Sequence, residues 1–210
     1  QALQVIQTGG PIEKIRIGSP HDVADSILPN LLRRLSKLSP ELQMEINVGR
    51  SPFLMDALRD KTLDLAISTR YDDAFPGIKL RTSPMVWICA EDFIFNSAAP
   101  VPLVMADELS LFRQLSIECL DAHHIPWRTS YLSPTLTGIR AAISAGLGVT
   151  ARTTELLDAN MRVLTEADGL PRLPEVAFYL YVQPTCASPV LRELFDSTNH
   201  IATRFGPPFM

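Results

Sequence analysis

The stretch Glu13-Lys14-Ile15-Arg16-Ile17-Gly18-Ser19-Pro20-His21-Asp22 sets the reading of the whole chain. From Lys14 it alternates polar and apolar, the period of a half-buried strand. Ser19-Pro20-His21-Asp22 then reads as a helix start. Serine can cap, proline suits the first helical position, and an aspartate three after the cap can reach back. Val23, Ile27, Leu28, Leu31, Leu32, Leu35 and Leu38 follow at helical spacing. Pro29 inside that run predicts a kink there, or a true helix start near it. Leu42 to Val48 alternates again, and Gly49-Arg50-Ser51-Pro52 opens a second helix with Leu54 and Leu58 inward. Leu63-Asp64-Leu65-Ala66-Ile67-Ser68 is a third strand. This β-α-β-α-β order is the signature of a parallel sheet with helices on both faces.

Downstream the pattern repeats. Lys79 to Ala90 reads as one or two strands running through Pro84. Val101 to Ala106 is a strand, Leu109 to Ala122 a helix and Arg128 to Leu132 a strand. Ser133-Pro134 opens a helix to Ala145, and Gly148 to Ala151 is a strand. Phe178 to Val182 is another strand, and Ser188-Pro189 opens the last helix. Gly146-Leu147-Gly148 follows a helix rather than a strand, so it reads as a helix C-cap turning into a strand, not as a dinucleotide loop. Two similar α/β halves predict two lobes joined by crossing strands, with a cleft between them.

Composition narrows the function. The chain has 210 residues, 46% hydrophobic and 20% charged, enough to bury a core without disulfides or metal. No apolar run reaches the roughly 18 residues of a membrane span. The net charge is −4 with no basic run, which argues against a nucleic-acid surface on this chain. Cys89, Cys119 and Cys186 are odd in number and widely spaced, the pattern of a reducing compartment. Residues 1–12 read as a tail or linker, and a start without methionine reads as a cut-out of something longer. His123-His124, His21 and His200 have no metal-ligand spacing, and no nucleophile elbow or phosphate loop is present. Asp72-Asp73 and Glu91-Asp92 fall in polar turns and read as solvated charge. No metal, cofactor or catalytic residue is expected.

The positive signal is three predicted helix starts of one kind, Ser19-Pro20, Ser51-Pro52 and Ser133-Pro134, each just after a strand. In an open parallel sheet such starts lie at the carboxyl ends of the strands, where these folds bind ligands. Free N–H groups and the helix dipole there favour a small anion. Arg50, Arg70 and Arg152 also fall at predicted strand ends, where a guanidinium can meet a carboxylate. Ordinary capping and surface charge are the plainer readings of the same residues.

Several stretches together resemble the effector-binding domain of LysR-type transcriptional regulators. They are Ile15-Arg16-Ile17-Gly18, Ile27-Leu28-Pro29-Asn30-Leu31-Leu32-Arg33-Arg34-Leu35, Leu63-Asp64-Leu65-Ala66-Ile67 and Ile143-Ser144-Ala145-Gly146-Leu147-Gly148-Val149. In this order and at these separations they cover roughly residues 13–205. A narrower resemblance, to the subgroup typified by LrhA, HexA and PecT, rests on Pro126 to Gly138, Val149 to Arg152 and Ala167 to Pro174.

The resemblance implies two Rossmann-like α/β lobes in a type 2 periplasmic-binding-protein-like fold, joined by two crossover segments. Lobe one would be 13–84 plus 183–210, and lobe two 85–182. It implies an N-terminal winged helix-turn-helix outside this chain, which alone would contact DNA, and a bacterial cytoplasmic location. It also implies a homodimer of this domain and a tetramer of the full protein. Helices 29–39 and 109–122 are the expected interface.

Matching the family's effector loops one by one places the ligand among Ser19, Pro20, His21, Arg50, Ser51, Ser68 and Thr69 in the first lobe. In the second lobe it places Ser133, Pro134, Thr135 and Thr150, and Arg152 joins them from its place at a predicted strand end. The ligand would be a small-molecule effector, with a carboxylate or other small anion favoured. The loop Ser19-Pro20-His21-Asp22 departs from the acidic loop of some relatives, which leaves the effector unnamed. Two other functions compete: an extracytoplasmic solute-binding protein of a transporter, and a small enzyme in which His21 would act.

Overall fold

The computed structural model describes residues 13–205. The expected tail, residues 1–12, lies outside the described residues. The first half runs β1 (Lys14–Pro20), α1 (Ile27–Leu38), β2 (Gln43–Gly49), α2 (Ser51–Arg59), β3 (Leu65–Ser68) and β4 (Gly77–Ala90). The second runs β5 (Val101–Met105), α3 (Leu111–Ala122), β6 (Trp127–Leu132), α4 (Leu136–Ser144), β7 (Thr150–Thr153), β8 (Met161–Leu164), β9 (Glu175–Val182) and α5 (Pro189–Phe205).

β2, β1 and β3 are parallel neighbours, as the β-α-β-α-β pattern demands. The sheet then becomes mixed, because β9 and β4 both run antiparallel to their neighbours. β4 is one strand through Pro84, and it serves two units. Its first half pairs with β9, while Met85 to Ala90 pairs with β7 and β8. β5 and β6 form a parallel pair tied to this end by the bridge Leu103–Val149.

Alternation along each strand sends successive side chains to opposite faces, and helices cover both. On one face of the first unit, Ile15, Ile17, Leu65, Ile67, Phe178 and Leu180 pack against α1 and α5. Leu54, Leu58, Ala66 and Tyr181 form the other face. In β4, Trp87 and Cys89 enter a core with Phe112 and Leu120, while Ile88 enters another with Ile139 and Ile143. α1 buries Ile27, Leu28, Leu31 and Leu35, each contributing about 2 kcal/mol by leaving water. Leu31→Asp would break that face. Phe178 and Leu180 pack in the first core and Val176 in the second. β9 thus contributes side chains to both cores.

Two of the expected helix starts are corrected. β1 continues through Pro20, whose φ of −64° and ψ of 148° are extended. A short 3-10 turn, His21–Val23, follows, and α1 begins only at Ile27. Ser19 caps nothing; its Oγ donates to the Pro20 carbonyl. Pro29 then sits in the first turn, where its missing N–H leaves no gap. Likewise α4 begins three residues after Ser133, and Thr135 is its cap, accepting from the Gly138 N–H at 3.1 Å. Ser51 does open α2, with Pro52 in the first turn, but its hydroxyl is turned to β3 and accepts from the Thr69 N–H at 3.0 Å. Ser188 caps α5 as read, accepting from the Leu191 N–H. Gly146 ends α4 at φ +69°, as its place predicts. β8 has no counterpart in the sequence reading.

Candidate functional site

The carboxyl ends of β1, β2 and β3 face those of β5, β6 and β7 across a narrow cleft. Pro20, His21 and Asp22 follow β1, Arg50 and Ser51 start α2, and Thr69 and Arg70 follow β3. The opposite wall holds Leu109, Ser110, Phe112, Pro134 and Arg152. Between them lies a cavity of about 50 Å³, room for a few waters or a small anion. An outer groove of about 370 Å³ adjoins it, lined by Asp107, Glu108, Arg113, Leu132 and Ser133, with Leu109 and Pro134 shared.

Of the residues expected from sequence, the cavity collects Pro20, His21, Arg50, Ser51, Thr69, Pro134 and Arg152. His21 lies exposed at the rim. Ser19, Ser68, Ser133, Thr135 and Thr150 do not line it. Ser19 and Ser68 are buried beneath the wall, and the Ser68 hydroxyl accepts from the Arg70 N–H. Ser133 lines the outer groove, and Thr135 is spent on the α4 cap. Thr150 is buried behind Arg152. Asp22, Asp107, Leu109 and Phe112 were not read as site residues. Asp22 and Asp107, each just past a strand end, are the two whose positions offer a signal.

Three guanidinium groups converge here, and each is held by the opposite wall. Arg50 grips Asp107 with two hydrogen bonds, 2.5 and 2.6 Å. That grip holds the Asp107 carboxyl below the usual carboxylate range. Arg70 donates through Nη2 to the Leu109 carbonyl at 2.9 Å. Arg152 donates through Nη1 to Asp22 Oδ1 at 3.3 Å and stacks over the Phe112 ring at 4.5 Å. Burial pushes the Arg152 pKa down; Asp22 opposes the shift and Arg50 adds to it. The N-termini of α2 and α3 open at the same cavity. Free helix N–H groups and crowded cations favour an anion. Among the described residues no cluster of His, Cys, Asp or Glu could hold a metal ion. No helix among them is long and apolar enough to cross a membrane.

The profile of the LysR substrate-binding domain matches residues 8–200. The chain belongs to the LysR substrate-binding domain family. One relative within reach of that family is the HTH-type transcriptional regulator PecT of Dickeya dadantii (strain 3937). It is 39% identical over 183 residues, 87% of this chain and 58% of PecT. The chain thus spans under two thirds of that regulator's length. Among solved structures, the bromide-bound regulatory domain of HypT from Salmonella typhimurium superposes with a TM-score of 0.73 at 18% identity. The match covers 93% of this chain and 98% of that one. The effector binding domain of QuiR in complex with shikimate gives 0.71 at 14% identity, over 92% and 99%. The LysR-domain fold is therefore the two-unit α/β arrangement described above. Its relatives are transcriptional regulators, and none of these findings favours a transport protein.

Proposed function

We propose that this chain is the effector-sensing domain of a bacterial LysR-type transcriptional regulator, and that a small anionic metabolite binds between its two units. The observation that carries this reading is the cavity floor, where Arg50, Arg70 and Arg152 meet from opposite walls beside two helix N-termini. Bromide on HypT and shikimate on QuiR are anions, which supports the class. The expected residues that line the cavity, Pro20, His21, Arg50, Ser51, Thr69, Pro134 and Arg152, are the proposed ligand set, with Arg70 beside them. The lobes are taken as roughly 13–84 with 178–205, and 85–177. The domain would form a homodimer, and the full protein would act in the cytoplasm as a tetramer, touch DNA through a helix-turn-helix outside this chain, and catalyse nothing. Exposed Ile46 and Val48 on the edge strand β2 support pairing of two copies.

An effector can shift the lobe balance only by its differential affinity for two arrangements. The test is a thermal-shift screen of this chain against anionic and neutral metabolites. A ligand at a hundred times its Kd stabilises by about 2.7 kcal/mol. A carboxylate or phosphate hit that Arg152→Met weakens supports the reading. Hits confined to neutral compounds and indifferent to Arg152 overturn it.

A further inference from the structure

Arg152 is held on a strand, and its partner stands on a short turn. It sits on β7, paired with Val86 of β4, with its guanidinium against the Phe112 ring. Its residue is 7% exposed. Yet among the described residues it makes one hydrogen bond, a single 3.3 Å contact to one oxygen of Asp22. A guanidinium offers donors in a fork that matches both oxygens of a carboxylate, and this contact uses little of it. The remaining donors have no partner among the described residues, while Arg152 borders the cavity. Asp22 stands on a short 3-10 turn that has no side-chain cap, and its carboxylate makes no other hydrogen bond among the described residues. Arg50 is different, because Asp107 already satisfies it in two places.

Resting on the cleft reading above, we propose that Arg152 is an anion-binding residue whose resident ligand is the Asp22 carboxylate, and that an incoming small anion takes Asp22's place. The cavity of about 50 Å³ beside the guanidinium suits a halide or a small carboxylate group. A larger metabolite would place only its carboxylate there. The exchange has a mechanical consequence. Asp22 belongs to the first unit and Arg152 to the second, so an anion that replaces Asp22 cuts a tie between the units. Binding and opening are thereby coupled through one contact.

The test uses chloride as the probe, followed by the broadening of its NMR line, with acetate as competing carboxylate. Asp22→Asn keeps the shape and removes the competing charge. Two charges a few ångström apart at a partly buried site interact strongly, so chloride should bind roughly tenfold tighter or more. Acetate should compete, and Arg152→Met in the Asp22→Asn background should abolish the gain. Affinity within twofold of the parent chain, or a gain that survives Arg152→Met, overturns the proposal. If Asp22→Asn does not fold in anion-poor buffer, folding restored by acetate supports it, and failure to fold at any acetate concentration overturns it. The cleft reading is separately exposed. A metabolite that binds the parent and Asp22→Asn equally well sinks this proposal and leaves that reading standing. A chloride gain beside a screen without anionic hits does the reverse.

Discussion

Glu155→Ala should be among the most damaging single substitutions outside the hydrophobic cores. Glu155 lies in the 3-10 turn after β7, and its Oε1 pairs with Arg81 and accepts from Ser83 Oγ at 2.8 Å. Arg81 also donates to Ser26 at 3.0 Å, so the cluster ties the loop before α1, the crossing strand β4 and the second unit together. The two side chains are 18% and 16% exposed. Their satisfaction is incomplete: Arg81 Nε and Glu155 Oε2 are buried without a partner among the described residues. Removing one member of a buried pair typically costs about 3–5 kcal/mol, because the other is left charged and dry. Ser26 still serves Arg81 here, so the lower end, about 3 kcal/mol, applies to Glu155→Ala. Arg81→Met should likewise cost about 3 kcal/mol, because Ser83 still serves Glu155, and the double variant about 4 rather than 6, a coupling of about 2 kcal/mol.

Urea unfolding measures all three variants, provided m is unchanged. Trp87 and Trp127 both lie in the second unit, so fluorescence follows that unit and circular dichroism the whole chain. Coincident transitions mean the units unfold together. A cost below about 1 kcal/mol for Glu155→Ala, or additive costs, would refute the claim that this junction is a dry, coupled pair.

Other substitutions separate local from tertiary causes. A Cβ on Gly148 would stand 2.2 Å from the Pro102 carbonyl oxygen at φ +154°, so Gly148→Ala should cost about 3 kcal/mol or more. Gly146→Ala, at φ +69° with open space around it, should cost about 1–2 kcal/mol, and urea midpoints of the two variants test the order. Thr135→Ala should lose about 1 kcal/mol as a true cap, more than Ser133→Ala, and equal costs would return the cap to Ser133. Arg50 depresses the Asp107 pKa, so the stabilisation is present above the unfolded carboxylate value and is lost as pH falls through the folded one. Asp107 is 48% exposed and screened, so Asp107→Asn should cost no more than about 1 kcal/mol at pH 7. The gap between the two chains should close below about pH 4, and a gap unchanged at pH 3 would refute it.

The architecture was legible because it is written in short-range periodicity. Lys14 to Ile17 alternates, Ile27 to Leu35 recurs at helical spacing, and Gly146 follows the last helical turn; each depends only on near neighbours. The Ser-Pro pairs misled because serine and proline suit a helix start equally well whether or not the chain turns there. At Pro20 the strand continued, and at Ser133 the cap moved to Thr135. Of the site, sequence located the strand ends and the helix starts that face the cleft. Tertiary structure alone decided which charges meet there. Arg50 finds Asp107 across 57 residues and Arg152 finds Asp22 across 130. No local pattern encodes such a pair, since each partner is set by where the two units place their strand ends.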